Sequence, residues 1–145
     1  EWENAARANT TPARYWGETA DQACAYANAM DATGKSRVPG VTWEAHNCAD
    51  GHAYTSPVGS FKPNAFGLYD MLGNVWKWTQ DCWHDNYGGA PADGGVRQGG
   101  DCGKHAVRGG SWNLDPRFVR AAVRSDSNTG GRSRSLGFRV ARTLP

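Results

Sequence analysis

Pro63-Asn64-Ala65-Phe66-Gly67-Leu68-Tyr69-Asp70-Met71-Leu72-Gly73-Asn74-Val75-Trp76-Lys77-Trp78 is the stretch that decides how this chain is read. Asn64 and Gly67 are turn-forming residue types, and they lead into a single helical turn expected over residues 68–71. From residue 75 to residue 83 the pattern alternates, with Trp76, Trp78, Gln80 and Cys82 on one face, which is the period of a β-strand. Tryptophans inside such a pattern are more often packed than displayed, so Trp76, Trp78 and Trp83, with Trp112 further on, are read as core.

Working outward, 145 residues suit one domain, large enough to bury roughly two thirds of its unfolded surface. With 19 Gly, 7 Pro and 7 Trp, and only 39% apolar residues, the composition points to irregular backbone gathered round aromatic side chains rather than to a helical bundle. Upstream, Trp2, Ala5 and Ala6 have helical spacing that Asn9-Thr10-Thr11-Pro12 ends, and residues 21–29 form a second short helix candidate capped by Thr19 or Asp21. Residues 33–61 read as a long run of turns, of the kind that a ligand, a metal or a disulfide usually orders. Downstream, residues 84–104 read as a glycine-rich surface loop, followed by strand candidates at 106–112, 118–124 and 136–142. Glu1-Trp2-Glu3 carries neither an initiator Met nor a signal-peptide pattern, so the chain reads as a fragment or a processed product.

The net charge of +2 defines no partner, although Arg108, Arg117, Arg120, Arg124, Arg132, Arg134, Arg139 and Arg142 crowd the end of the chain. In a glycine-rich region such arginines are expected to hold loops by bonding carbonyls and carboxylates, and nucleic acid is not the expected partner. No apolar run is long enough for a membrane span. Cys24, Cys48, Cys82 and Cys102 show no CxxC spacing. The expected pairs, Cys24 with Cys48 and Cys82 with Cys102, would each close a long loop and stabilise by about 3 kcal/mol. Such pairs imply an oxidising compartment, periplasmic or secreted, with four buried thiols as the alternative.

Glu1-Trp2-Glu3-Asn4-Ala5-Ala6-Arg7, Pro57-Val58-Gly59-Ser60-Phe61, the stretch 63–76, Arg108-Gly109-Gly110-Ser111-Trp112 and Leu136-Gly137-Phe138-Arg139-Val140 occur in this order. Together they resemble the formylglycine-generating enzyme (sulfatase-modifying factor) family. The resemblance implies an α+β, C-type-lectin-like fold, rich in loops, with short helices and a small, mostly antiparallel sheet. It implies as well that residues 1–145 are the carbon-terminal portion of one such domain, whose amino-terminal part is missing.

It also implies what chemistry to look for. In that family copper is held by two cysteines placed just after the Gly-Gly-Ser segment, thiolates being suited to soft copper(I). Here Leu114 stands at the first such position and no cysteine follows Cys102. Relatives with non-haem iron use histidines; His46, His52, His84 and His105 are scattered here without ligand spacing. Neither copper nor iron is expected from this chain alone. A structural calcium site is implied at Asn28, Ala29, Asp50 and His52, hard oxygen donors from two distant segments. A second calcium site of the family uses a Glu in Gly-Asn-Val-Trp-Glu-Trp, where this chain has Lys77, whose ammonium is expected to fill the space and bond the same carbonyls.

Residues 109–139 further resemble the variable region of retroelement-diversified ligand-binding proteins of the same fold. That resemblance implies display positions at Asn113, Leu114, Asp115, Arg117, Phe118, Arg120, Ser125, Ser127, Asn128, Arg132, Ser133 and Arg134, a mixture suited to adaptable recognition. The expected function is a non-catalytic lectin-like binding or assembly module. It would meet a protein or other surface ligand through residues 113–135 and could be an accessory subunit of a larger complex. An oxidase whose metal ligands lie in missing sequence or in a partner is the alternative.

Overall fold

The computed structural model describes residues 1–93, 95–97 and 99–141. The quoted stretch does form the centre, but its geometry is set by two residues with left-handed backbone, Gly73 at φ 73° and Asn74 at φ 57°. Gly73 donates its N–H to the Gly109 carbonyl at 2.9 Å, and Asn74 donates to the Asn28 carbonyl at 2.7 Å. The Asn74 carbonyl accepts from Trp112 N–H at 2.8 Å, while its side chain exchanges two hydrogen bonds with the backbone of Ser56. Three loops are thereby tied to one dipeptide, and the buried backbone groups of each find partners.

From this junction β1 (Trp76–Trp83) runs out and pairs antiparallel with β2 (Asp101–Arg108), Trp78 facing Val107. β3 (Arg124–Asn128) pairs antiparallel with β2, and the short β4 (Leu136–Gly137) lies parallel to β1. The four-stranded order is β3-β2-β1-β4, a small, mostly antiparallel sheet as expected. Cys82–Cys102 joins β1 to β2, and Cys24–Cys48 closes the long loop upstream, both as anticipated.

Several elements differ from the sequence reading. The first helix, α1 (Trp2–Arg7), ends where Ala8 and Asn9 turn left-handed. Residues 21–29 shorten to a 3-10 helix, Ala20–Ala25, whose Thr19 cap makes no side-chain bond. The segment read only as turns contains α2 (Ala32–Arg37), because Asp31 accepts a hydrogen bond from Gly34 N–H at 2.8 Å and satisfies the first turn. Residues 68–71 form no helical turn, and bends occur only at Asp70 and Met71: Asn64 Oδ1 takes the Phe66 and Leu68 amides, and Asp70 sits at φ 54°.

Among the strand candidates, 106–112 begins earlier and stops at Arg108, where Gly109 and Gly110 adopt φ 90° and 72°. Residues 118–124 are not a strand. Asp115-Pro116 starts a 3-10 helix at Pro116–Phe118, a proline at the first position being preorganised for it, and pairing begins only at Arg124. In the last candidate only Leu136–Gly137 pairs; Phe138 and Val140 are exposed, and Arg142 lies outside the described residues.

The core is built from Leu72, Ala29 and Val119, with Trp2, Tyr15 and Trp16 packed against it. Trp112 is buried as expected, but Trp76, Trp78 and Trp83 are half-buried. The most buried side chain of β1 is Lys77, because the opposite face of the strand is the one pressed under the Gly73–Gly109 junction. At Gly73 an added Cβ would stand 2.2 Å from the Asn28 carbonyl oxygen. Gly73→Ala is expected to cost about 4 kcal/mol or more, seen as a large fall in the urea midpoint or failure to fold.

Candidate functional site

The implied calcium residues lie on two segments, Asn28 and Ala29 on the turn after the first 3-10 helix and Asp50 and His52 just after Cys48. Asn28 is buried; its Nδ2 donates to the Tyr54 carbonyl at 2.7 Å, which leaves Oδ1 buried without a partner. On the segment after Cys48, Asp50 Oδ1 accepts the His52 amide at 2.7 Å, while Oδ2 is buried with no amide or hydroxyl donor and has the Asp31 carboxylate beside the group. Burial, with the nearby Asp31 carboxylate, pushes the Asp50 pKa up to about 6. Orphaned buried oxygens on both segments are the donor type that a hard cation requires. Asp31, not singled out by the sequence reading, joins the pieces by capping α2 and accepting the Asp50 amide. Its legible signal was an Asp three residues before Gly34 at a helix start.

Asn113, Asp115, Arg117 and Phe118 gather around the Pro116–Phe118 turn, with Arg120 just beyond it. Asp115 accepts from the Arg117 amide and from its guanidinium on both carboxylate oxygens, and these bonds hold its carboxyl below the ordinary carboxylate range. Arg120 donates to the Arg117 carbonyl, and Ser111 Oγ to Asn113 Oδ1. Arg14, buried beneath, holds this turn by donating to the Pro116 carbonyl at 2.8 Å. Asn128 pairs with Lys104 at the far end of β3, about 13 Å along the strand from Arg124. Arg134 lies over the Trp112 ring, and its carbonyl accepts the Trp112 indole N–H.

The histidines do not converge. His46 is buried with Nδ1 on the Ala20 carbonyl, His52 meets Phe61 edge to face, His105 packs against Trp78, and His84 sits beside Gly100. Among the described residues no group of three or more His, Cys, Asp or Glu side chains stands together in metal-binding reach. A cation site here would rest mainly on amide and carbonyl oxygens. The arginines largely do what their context implied, bonding carbonyls: Arg97 at Asn86 and Gly88, Arg108 at Ala122 and Val123, Arg139 at Tyr69.

Residues 1–144 match the sulfatase-modifying factor enzyme 1-like domain. The chain belongs to this family. It is 32% identical over 155 residues to the formylglycine-generating enzyme of Streptomyces coelicolor, covering 97% of this chain and 44% of that protein. PvdO from Pseudomonas aeruginosa superposes with a TM-score of 0.70 at 37% identity, covering 94% of this chain and 48% of that one. Treponema denticola variable protein 1 superposes with a TM-score of 0.73 at 28% identity, covering 95% and 43%. The fold is thus the C-type-lectin-like one, and the chain spans less than half the length of these relatives.

Within this family member Lys77 is the outlying group. Its Nζ donates to the Gly73 carbonyl at 2.6 Å, and burial pushes its pKa down to about 7 against the attraction of Asp70, with Arg139 adding to the depression. The folded chain then holds fewer protons than the unfolded one between about pH 7 and the ordinary lysine value of about 10.4. Stability should therefore rise with pH across that window, and Lys77→Met should flatten the rise. Urea unfolding of both proteins at pH 7 and 9.5 checks this, and equal slopes would contradict it.

Proposed function

We propose that this domain is a non-catalytic, lectin-like binding or assembly module. It acts as an accessory subunit of a larger complex in the periplasm or outside the cell. The observation that carries the reading is the state of the sulfur: all four cysteines are spent in two disulfides, and Leu114 follows Gly109-Gly110-Ser111-Trp112 where the resemblance implies a copper ligand. A disulfide sulfur does not supply the thiolate that copper(I) ligation needs. What the scaffold retains is a rigid frame carrying exposed, varied side chains at Arg117, Phe118 and Arg120. Arg and aromatic groups of this kind are suited to recognising a protein or other surface ligand. No helix among the described residues is long and apolar enough to cross a membrane.

Calcium is proposed as the structural ion, held by Asn28 Oδ1, the Ala29 carbonyl, the Asp50 carboxylate and the His52 carbonyl. The ion would supply positive charge to Asn28 Oδ1 and Asp50 Oδ2, buried oxygens without a hydrogen-bond donor, and so join the turn at Asn28 to the segment just after Cys48. Adding calcium at saturating concentration should raise the melting temperature, by linkage, and Asp50→Asn should abolish most of that rise. An unchanged melting temperature in the parent protein removes the site from the proposal.

Metal analysis with oxygen-consumption assays tests the functional reading. Calcium without stoichiometric copper or iron supports the module; bound copper or iron with oxygen uptake would establish an oxidase instead. Lys77, bonded to the Gly73 carbonyl, is proposed to replace a second calcium. Lys77→Glu should then raise calcium stoichiometry by one, and unchanged stoichiometry would refute that replacement.

A further inference from the structure

A second place on the molecule has recognition chemistry that none of the preceding roles uses. Arg124 opens β3 opposite Arg108, and its guanidinium carbon stands 4.5 Å from the Trp83 ring centroid and 4.6 Å from that of Tyr87. Trp83 is itself oriented, its Nε1 donating to Asp85 at 3.0 Å. The neighbouring arginines are committed, Arg97 to loop carbonyls and Arg108 to Glu3 and to the carbonyls of Ala122 and Val123. Arg124 differs: among the described residues its contacts are the two rings, with no hydrogen-bond or ion-pair partner for its donors.

Those donors border a cavity of about 140 Å³ beneath the glycine-rich loop. That is room for about four or five waters, or one small side chain. His84 lines the same cavity and has its Nε2 buried without a partner. Both rings lie against the guanidinium carbon, and a guanidinium resting on aromatic faces keeps its N–H donors at its in-plane edge, where a ligand can meet them. A planar carboxylate matches that edge with two parallel hydrogen bonds. Glu1 and Asp81 also line the cavity, and their negative charge opposes a dianion such as phosphate more strongly than a singly charged carboxylate. Tyr87, half of whose surface is open, sits at the rim where a partner chain would rest.

We infer that the cavity bordered by Arg124, Trp83 and Tyr87 receives the carboxylate of an acidic side chain from a partner protein. The site shares no residue with the candidate calcium cluster or with the patch around Pro116–Phe118, so its test and theirs fail separately. The probe is N-acetyl-L-glutamate N-methylamide, titrated into the purified protein while the Trp83 indole and Arg124 guanidinium N–H resonances are followed by NMR. A saturable shift in the millimolar range is expected, lost in Arg124→Gln and weakened several-fold in Arg124→Lys, which keeps a cation between the rings but not the fork. The capped glutamine analogue should produce none. The inference is overturned if the parent protein shows no saturable shift or responds equally to the glutamine analogue. It is also overturned if Arg124→Lys responds as the parent does, or if inorganic phosphate binds where the carboxylate does not. Should Arg124→Gln fail to fold, the parent titration and Arg124→Lys decide the matter.

Discussion

Everything in this domain hangs on the hydrogen bonds that Gly73 and Asn74 make with three loops at once. A chain with little regular structure must find partners for its buried amides and carbonyls outside helices and ladders, because an unpaired one costs as much as a lost hydrogen bond. The left-handed dipeptide turns two successive amides toward Gly109 and Asn28, and the Asn74 side chain acts as a substitute strand for Ser56. Asn64 does the same work one turn earlier, donating to the Ala5 carbonyl while accepting two amides of its own loop. Asparagine suits both places because one side chain offers donors and an acceptor together.

The junction also explains the distribution of charge. Lys77 is buried because β1 leaves the junction with that face turned inward, and its ammonium caps the Gly73 carbonyl that the tight turn exposes. The same side of the molecule brings Asn28 beneath Gly73, so the candidate cation site and the buried lysine are neighbours through one backbone segment. At the opposite edge, β3 is held by the ladder to β2 and by the Lys104–Asp126 ion pair rather than by an apolar face. Its residues are free to be polar, and Arg124 can serve the cavity instead of the core.

How much was legible varied with the kind of residue. The motif order, both cysteine pairs, the position of β1 and the carbonyl-bonding arginines could be read, because each rests on local chemistry or on residue types with few uses. The 118–124 strand was misread: Phe118, Val119 and Val123 mimic β alternation, while Asp115-Pro116 carried the true instruction for a 3-10 turn. β3 was invisible, since Arg-Ser-Asp-Ser-Asn has neither apolar alternation nor high strand propensity and becomes a strand only by pairing with β2. Of the candidate site residues, Asn28 and Asp50 were nameable, but that each keeps a buried unpaired oxygen depends on which neighbours consume the other atoms.

The sequence by itself determined the family, the α+β lectin-like scaffold and the absence of a cysteine after Cys102, since these follow from residues whose identity is their chemistry, and the structure closed the two expected disulfides. Only the tertiary structure decided that Lys77 rather than the tryptophans fills the inner face of β1, that Arg134 returns to Trp112, and that Arg124 rests on two rings with its donors unspent. The physical reason is common to all three. Burial and hydrogen-bond supply are properties of packed segments far apart in the chain, and no local pattern records which of two alternating faces the rest of the molecule will cover.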